Sequence, residues 1–512
     1  KHFLMEKLHP IMFAGTGSDV GKSIIAAAFC RIFRQDGYHP APFKAQNMAL
    51  NSYATPEGLE IGRAQAVQAE AAGVPCHTDM NPLLLKPSSD HTSQVVLNGR
   101  PIGNRSAYEY FRVEGREELR HEVCSAFDRL ATRYNPIVME GAGSISEINL
   151  RDTDLVNLPM ALHAGADVIL VGDIDRGGVF ASVYGSLMLL RPYERERIKG
   201  ILINKFRGDI RLFESGVKML EELCGIPVVG VVPYYKDIYI EEEDSLALAT
   251  KSVQTEQGKV NIAVVLLRHL SNFTDFNVLE RDPRVHLFYT NNVDELAKAD
   301  IILLPGSKST LADLHELRRN GVAQAVIRAH REGATVMGIC GGYQIMGQEV
   351  CDPDHVEGEI ERLPGLGLLP VSTHMTGEKI TRQIKFRLSA AARENSHLFT
   401  DGMQANLEGY EIHMGTTVPV YDAPVSPLNL LEDGGADGYF LDRTCIGTYI
   451  HGILDNPSFI DFLLEPFADK IADAGKSFDY HQFKEEQYNK LADHVRSHVD
   501  LPLIYKILTT HD

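Results

Sequence analysis

The stretch from Ile11 to Arg34 constrains this chain more than any other. An apolar run, Ile11–Ala14, leads into Gly15-Thr16-Gly17-Ser18-Asp19-Val20-Gly21-Lys22-Ser23. A segment follows in which Ile24, Ile25, Ala28, Phe29, Ile32 and Phe33 recur at the spacing of one helical face. Strand, glycine turn, Lys-Ser and helix in direct succession form the setting in which backbone N–H groups and a helix N-terminus converge on phosphate oxygens. Thr16, Gly17, Asp19, Gly21, Lys22 and Ser23 are therefore candidate ATP-binding residues. Lys22 would neutralise phosphate charge, and the Ser23 hydroxyl would ligate Mg²⁺. Thr16 stands where the strict motif has its first glycine, and Gly15 comes one position earlier, so the loop is one residue longer than the standard form.

Such a loop belongs to a parallel sheet covered by helices, and the following sequence supplies one. Short apolar runs at Ile137–Met139, Val168–Val171, Ile201–Ile203 and Val228–Val232 read as buried parallel strands alternating with helical stretches. Glu140 ends one of them, placing a carboxylate where it would share Mg²⁺ with Ser23. Asn204 ends another, at a position suited to a base edge. After Pro233 the pattern lapses through an acidic run, Glu241–Asp244, and resumes with Ile262–Leu267, Ile301–Leu304, Val336–Ile339 and Thr448–Ile450. The expected organisation is a doubly wound, mostly parallel α/β domain over 5–235, a linker over 236–259, a second α/β domain over 260–458 and a helical extension over 459–512. A chain of 512 residues needs more than one core at roughly 150 residues per domain.

Charge narrows the partners. A net charge of −19 disfavours nucleic acid and anionic lipid and leaves a small-molecule substrate as the expectation. No apolar run long enough to span a bilayer and no signal-peptide pattern occur, which predicts a cytoplasmic location. Seven cysteines without a C-x-x-C pair read as reduced thiols.

One of those thiols has a special setting. The strand Thr335–Ile339 runs into Gly338-Ile339-Cys340-Gly341-Gly342 and then a helical segment, the cysteine counterpart of a nucleophile elbow. Small flanking residues permit the sharp turn that exposes sulfur, and the helix start behind it favours thiolate and supplies oxyanion donors. His451, in Thr448-Tyr449-Ile450-His451-Gly452, is the preferred base, with His413 in Gly409–Gly415 as its competitor. His355-Val356-Glu357 lies in an acidic loop with no strand beneath it and is set aside.

An ATP-binding α/β domain joined to a cysteine-elbow domain resembles the glutamine-dependent amidoligases, and the chain is similar to the cobyric acid synthase family of cobalamin biosynthesis along nearly its whole length. The resemblance rests on Gly15–Ser23, Phe43–Ser52, Glu60–Gln65, Asn81–Pro87, Asp173–Gly178, Asn204–Asp209, Pro305–Ser307, the Cys340 elbow, Gly409–Gly415 and His451. The N-terminal half also resembles dethiobiotin synthetase, whose loop has the same lengthened spacing, and the C-terminal half resembles class I glutamine amidotransferases. The resemblance implies that Lys44 lies near the γ-phosphate and the substrate carboxylate, and that glutamine and a corrinoid are the partners. It further implies amidation of the b, d, e and g carboxylates of adenosylcobyrinic acid a,c-diamide through an acyl phosphate. Class I enzymes carry a Glu two residues after the catalytic His, where this chain has Ile453. A Cys340–His451 dyad is thus expected, with Glu411 and Asp455 both open as the residue orienting His451.

Three rivals define what the molecule must exclude. Cobyrinic acid a,c-diamide synthase shares both domains, but Ala45–Ser52 and Gly409–Gly415 resemble the cobyric acid enzyme. A P-loop switch ATPase with a vestigial second domain would carry a signature lysine five residues before Lys22, where Gly17 stands. A free-standing cysteine hydrolase would use the second domain on its own substrate.

Overall fold

Runs of Ile, Val and Leu that are apolar on both faces bury themselves only inside a sheet covered on both sides. A computed structural model describes residues 6–87, 92–106, 116–241, 255–398, 406–472 and 478–509. Most of the predicted linker, with all of its acidic run beyond Glu241, lies outside the described residues. The chain divides into two units, one of Lys1–Ala49, Glu60–Glu241 and Gln482–Asp512, the other of Leu50–Leu59 and Glu242–His481. Two short pieces thus depart from chain order: Leu50–Leu59 packs with the second unit, and the last helices pack with the first.

The first unit is built on a six-stranded sheet in the order Val228–Pro233, Ile198–Phe206, Asp167–Asp173, Ile11–Gly15, Ile137–Glu140, Ala41–Phe43. Every pair is parallel. The central strand, Ile11–Gly15, is fully buried and continues through the glycine loop into the helix Lys22–Gln35, whose Ile25, Phe29, Ile32 and Phe33 lie in the core. The strand order reverses at this strand, which puts a crevice at its carboxyl end. A smaller four-stranded sheet, Gln46–Met48, Leu83–Pro87, Thr92–Leu97 and Arg100–Ser106, adjoins it. The helix Tyr480–Arg496 is fastened to this unit by ion pairs of buried cations with more exposed carboxylates, Lys484 with Glu70 at 2.9 Å and Arg31 with Glu485 at 2.5 Å.

The second unit repeats the principle. Its first sheet runs Val285–Thr290, Val260–Val265, Ile301–Leu304, Thr335–Ile339, Cys445–Thr448, Tyr439–Asp442, parallel except for the last, edge strand. A second sheet is dominated by two long antiparallel strands, Val371–Leu388 and Leu407–Pro419, and ends on the short strand Ile450–His451. The chain therefore changes sheet between Thr448 and Ile450. That switch carries His451 out of the parallel sheet and alongside Tyr410. The two α/β units agree with the predicted fold class. The long antiparallel pair has no counterpart among the predicted strands, because the middle of Val371–Leu388 buries neither face and so lacks an apolar alternation.

Candidate active sites

In the first unit the loop residues meet at the carboxyl ends of the central strands. Glycine is required at Gly21, which has φ +96° and on which a Cβ would fall 2.2 Å from the Asn204 amide. Lys22 Nζ donates to the carbonyls of Gly17 and Gly143, each at 2.9 Å. Ser23 Oγ donates to Glu140 Oε1 at 2.7 Å, Lys44 Nζ reaches the same oxygen at 2.8 Å, and Gln68 Nε2 donates to Oε2 at 2.8 Å. Burial works against ionisation of Glu140, but the Lys44 ammonium and these donors outweigh it and hold the carboxyl below its ordinary range. Burial also lowers Lys22 to about 8, with Glu140 opposing the shift.

The expected pair Ser23 and Glu140 is in contact, Lys44 joins it on the same carboxylate oxygen, and the fold adds Gln68, which no motif pointed to. The Ser23 hydroxyl and the Glu140 carboxylate are hard oxygen donors of the kind that Mg²⁺ takes. Among the described residues no group of three His, Cys, Asp or Glu forms a dedicated metal cage. Asn204, expected at a base edge, directs its Nδ2 at the Val20 carbonyl at 2.9 Å, so that donor shapes the loop itself. Lys205, with φ +59°, donates to the Asp19 carbonyl and to Asp173.

In the second unit the elbow is a strained turn. Cys340 has φ +53° and ψ −113°, an unusual conformation for a residue with a Cβ, between the strand Thr335–Ile339 and the helix Gly341–Met346. The flanking glycines are obligatory: a Cβ on Gly342 would lie 1.9 Å from the Leu304 carbonyl oxygen, and one on Gly341 would lie 2.8 Å from Ser307 N. Cys340 Sγ donates to the Ile412 carbonyl at 3.5 Å, and the Cys340 side chain is one of the groups that raise the pKa of His451.

His451 Nδ1 pairs with Asp275 Oδ2 at 2.7 Å, while Asp275 Oδ1 accepts from Gly452 N at 3.0 Å. Both side chains are buried. Burial pushes the imidazole down, but Asp275 and then Cys340 overcome it and raise His451 to about 10. The residue orienting His451 is therefore Asp275, and neither of the two sequence candidates; Glu411 is paired with Arg382. The expected Cys340–His451 dyad thus has Asp275 as the hydrogen-bonded partner of its histidine. Asp275 follows the first strand of the parallel sheet, at its carboxyl end, which is the only signal that could have drawn attention to it. It lies 176 positions from His451, and only the sheet order closes that gap.

His413, the competing base, stacks on Tyr449 with ring centroids 3.7 Å apart, and burial lowers it to about 4. It is neutral near pH 7, and one face of its ring is covered by Tyr449. Glu357 serves the fold, accepting from Thr310 N at 2.7 Å and capping the helix Thr310–Arg319, whereas His355 is exposed. Asp437, accepting from Thr448 Oγ1 at 2.5 Å and Tyr449 N at 2.8 Å, fixes the strand switch that delivers His451.

Comparison with known proteins agrees with these two halves. Residues 11–247 match the CobQ/CobB/MinD/ParA nucleotide binding domain, and residues 261–459 match the CobB/CobQ-like glutamine amidotransferase domain. Cobyric acid synthase of Bacteroides fragilis is 83% identical over 507 residues, covering 99% of this chain and 100% of that protein. The chain belongs to the cobyric acid synthase family. The family's protein from Phocaeicola vulgatus is 74% identical over 509 residues, covering 99% of this chain and 100% of its own. That from Syntrophobacter fumaroxidans is 47% identical over 527 residues, covering 99% of each chain. Identity over the full length covers both site regions, so the pairing of an ATP-binding unit with an amidotransferase unit is a property of the family.

Proposed function

We infer that the chain is a glutamine-dependent carbon–nitrogen ligase that makes adenosylcobyric acid, using ATP to amidate the b, d, e and g carboxylates of adenosylcobyrinic acid a,c-diamide in cobalamin biosynthesis. The observation that carries this reading is the presence, in one chain, of a buried His451–Asp275 pair at an elbow thiol and of a Lys22–Ser23–Glu140–Lys44 cluster at a phosphate loop. The first arrangement suits nitrogen release from an amide, the second suits activation of a carboxylate.

In the thiol centre, Cys340 as thiolate beside the His451 imidazolium attacks the side-chain carbonyl carbon of glutamine. Backbone N–H groups at the elbow stabilise the tetrahedral oxyanion. His451 gives its proton to the departing nitrogen, ammonia leaves, and a thioester remains. Water, losing its proton to His451, hydrolyses the thioester to glutamate and restores the thiol. Asp275 holds Nδ1–H throughout, so the ring presents its other nitrogen to sulfur, water and leaving group in turn. In the phosphate-loop centre, a corrinoid carboxylate oxygen attacks the γ-phosphorus of ATP and ADP leaves. Ammonia then attacks the acyl carbon of the acyl phosphate and inorganic phosphate departs. Lys22 balances charge on the transferring phosphoryl group, and Lys44 stands beside Glu140, where the carboxylate meets it. Mg²⁺ held by Ser23 and Glu140 would supply further charge neutralisation at the β- and γ-phosphates. The domains at 5–235 and 260–458 are read as synthetase and glutaminase, and the site of action as the cytoplasm; among the described residues no helix is long and apolar enough to cross a membrane.

Mass spectrometry of the a,c-diamide corrinoid incubated with protein and MgATP tests this. With glutamine, an OH-to-NH₂ exchange is expected at each of the b, d, e and g positions; Cys340→Ala removes it, and ammonium restores it. An unchanged corrinoid with both nitrogen donors would remove the substrate assignment.

A further inference from the structure

The segment Leu50–Leu59 interrupts the first unit in sequence and packs in the second. It follows directly on the stretch that carries Lys44, yet its contacts converge on His451. Asn51 Oδ1 accepts from Phe273 N at 3.2 Å, and Ser52 N donates to Asn272 Oδ1 at 3.0 Å, a reciprocal pair between buried residues. These bonds grip the entrance of the turn Phe273–Phe276, which carries Asp275. Asn272 enters that turn with φ +52°, a left-handed conformation that persists only where the surroundings hold it. Tyr53 packs its ring 4.5 Å from that of Tyr410, and the Tyr410 hydroxyl donates to Ser52 O at 3.4 Å. The Tyr410 ring in turn stacks on His451, 5.3 Å away and 24° from parallel.

His451 is thus restrained twice, at Nδ1 by Asp275 and across its face by Tyr410, and both restraints lead back to three consecutive residues. The strap is itself fixed by Gln383 Nε2 donating to Ala54 O at 2.9 Å, so it is seated in this unit independently of the histidine. We propose that Asn51, Ser52 and Tyr53 are positioning residues for glutamine hydrolysis, setting the orientation of His451 through the Asp275 turn and the Tyr410 ring. The proposal rests on the thiol mechanism described above. No substrate contact is assigned to the three residues; they act through two others.

The test uses the full chain with MgATP and the a,c-diamide corrinoid, comparing Asn51→Ala, Tyr53→Ala and Tyr53→Phe. Glutamate formation gives kcat and KM for glutamine, amidation with ammonium reports the other centre, and iodoacetamide labelling of the Cys340 peptide reports thiol reactivity. A misplaced base costs about 10- to 100-fold, so both alanine variants are expected to lose kcat by that factor at unchanged KM for glutamine. Labelling of Cys340 slows with it, ammonium-dependent amidation stays, and Tyr53→Phe, which keeps the ring, restores turnover. Unchanged kcat in the alanine variants would overturn the proposal, as would a parallel loss with both nitrogen donors, the signature of general destabilisation. Glutamate formation persisting in Cys340→Ala would instead overturn the thiol mechanism beneath it, so the two failures are distinguishable.

Discussion

The two units hold reactive groups in the same place, at the carboxyl ends of parallel strands, but gather them from very different lengths of chain. In the first, the phosphate loop is nine consecutive residues, Gly15–Ser23, and its partners Lys44, Gln68 and Glu140 only complete a cradle that the local turn already defines. In the second, Cys340, His451 and Asp275 come from three separate elements, and His451 arrives on a short strand after the chain leaves one sheet for another. A contiguous site tolerates substitution at its rim. A dispersed site depends on each support that keeps its members in register, because a shift of about 1 Å at the base costs roughly 10²-fold.

Cys340→Ala is expected to show the largest effect and separates the units most cleanly. Glutamine-dependent amidation should fall by at least roughly 10³-fold, to background, because the covalent route is lost, while ammonium-dependent amidation is retained. Initial rates with each donor check this. Lys22→Ala should lower amidation with either donor by roughly 10³-fold, since the charge on the transferring phosphoryl group loses its nearest cation. Survival of the ammonium reaction in that variant would mean that the phosphate loop belongs to some other ligand.

Asp275→Asn sharpens the contrast within the dispersed site. The amide keeps the size of the side chain but removes the charge that holds His451 protonated, so kcat with glutamine should fall by about 10²-fold. Asp275 is what lifts His451 to about 10, hence the alkaline limb of the glutaminase pH profile should move to lower pH in the variant. The smallest effect belongs to the contiguous site. Lys22, lowered to about 8 by burial, is cationic below that pH and loses its charge above it. In the wild-type enzyme kcat/KM for ATP should therefore decline as pH rises through about 8, while kcat changes less because bound phosphate restores the charge.

The same contrast explains what could be read from the amino-acid sequence. Lys22, Ser23 and Cys340 each sit in a turn whose local spacing and glycines already state the chemistry, so they were legible without any fold. The parallel strands were legible for the same reason, as apolar runs with turn residues at their ends. Asp275 was not, since nothing in Asn272-Phe273-Thr274-Asp275-Phe276 distinguishes it from an ordinary polar turn until the sheet order sets it against His451. The Ile453 position pointed to a histidine without an acidic partner, whereas Asp275 from another turn pairs with His451. Asn204 shows a role that spacing does not reveal: its Nδ2 donates to Val20 O and so braces the loop, whatever its amide does toward a base. Gln68, a helical residue without a motif, became visible only when its amide met Glu140.

The central claim is that nitrogen released at the Cys340 centre is the nitrogen installed at the phosphate-loop centre of the same chain. Incubation of the a,c-diamide corrinoid with MgATP, glutamine labelled with ¹⁵N in its side-chain amide, and unlabelled ammonium at the same concentration measures this directly. The account predicts ¹⁵N in the new amides of the wild-type product and only unlabelled nitrogen in that of Cys340→Ala. Product from the wild-type enzyme carrying no ¹⁵N, with labelled glutamine left intact, would contradict it.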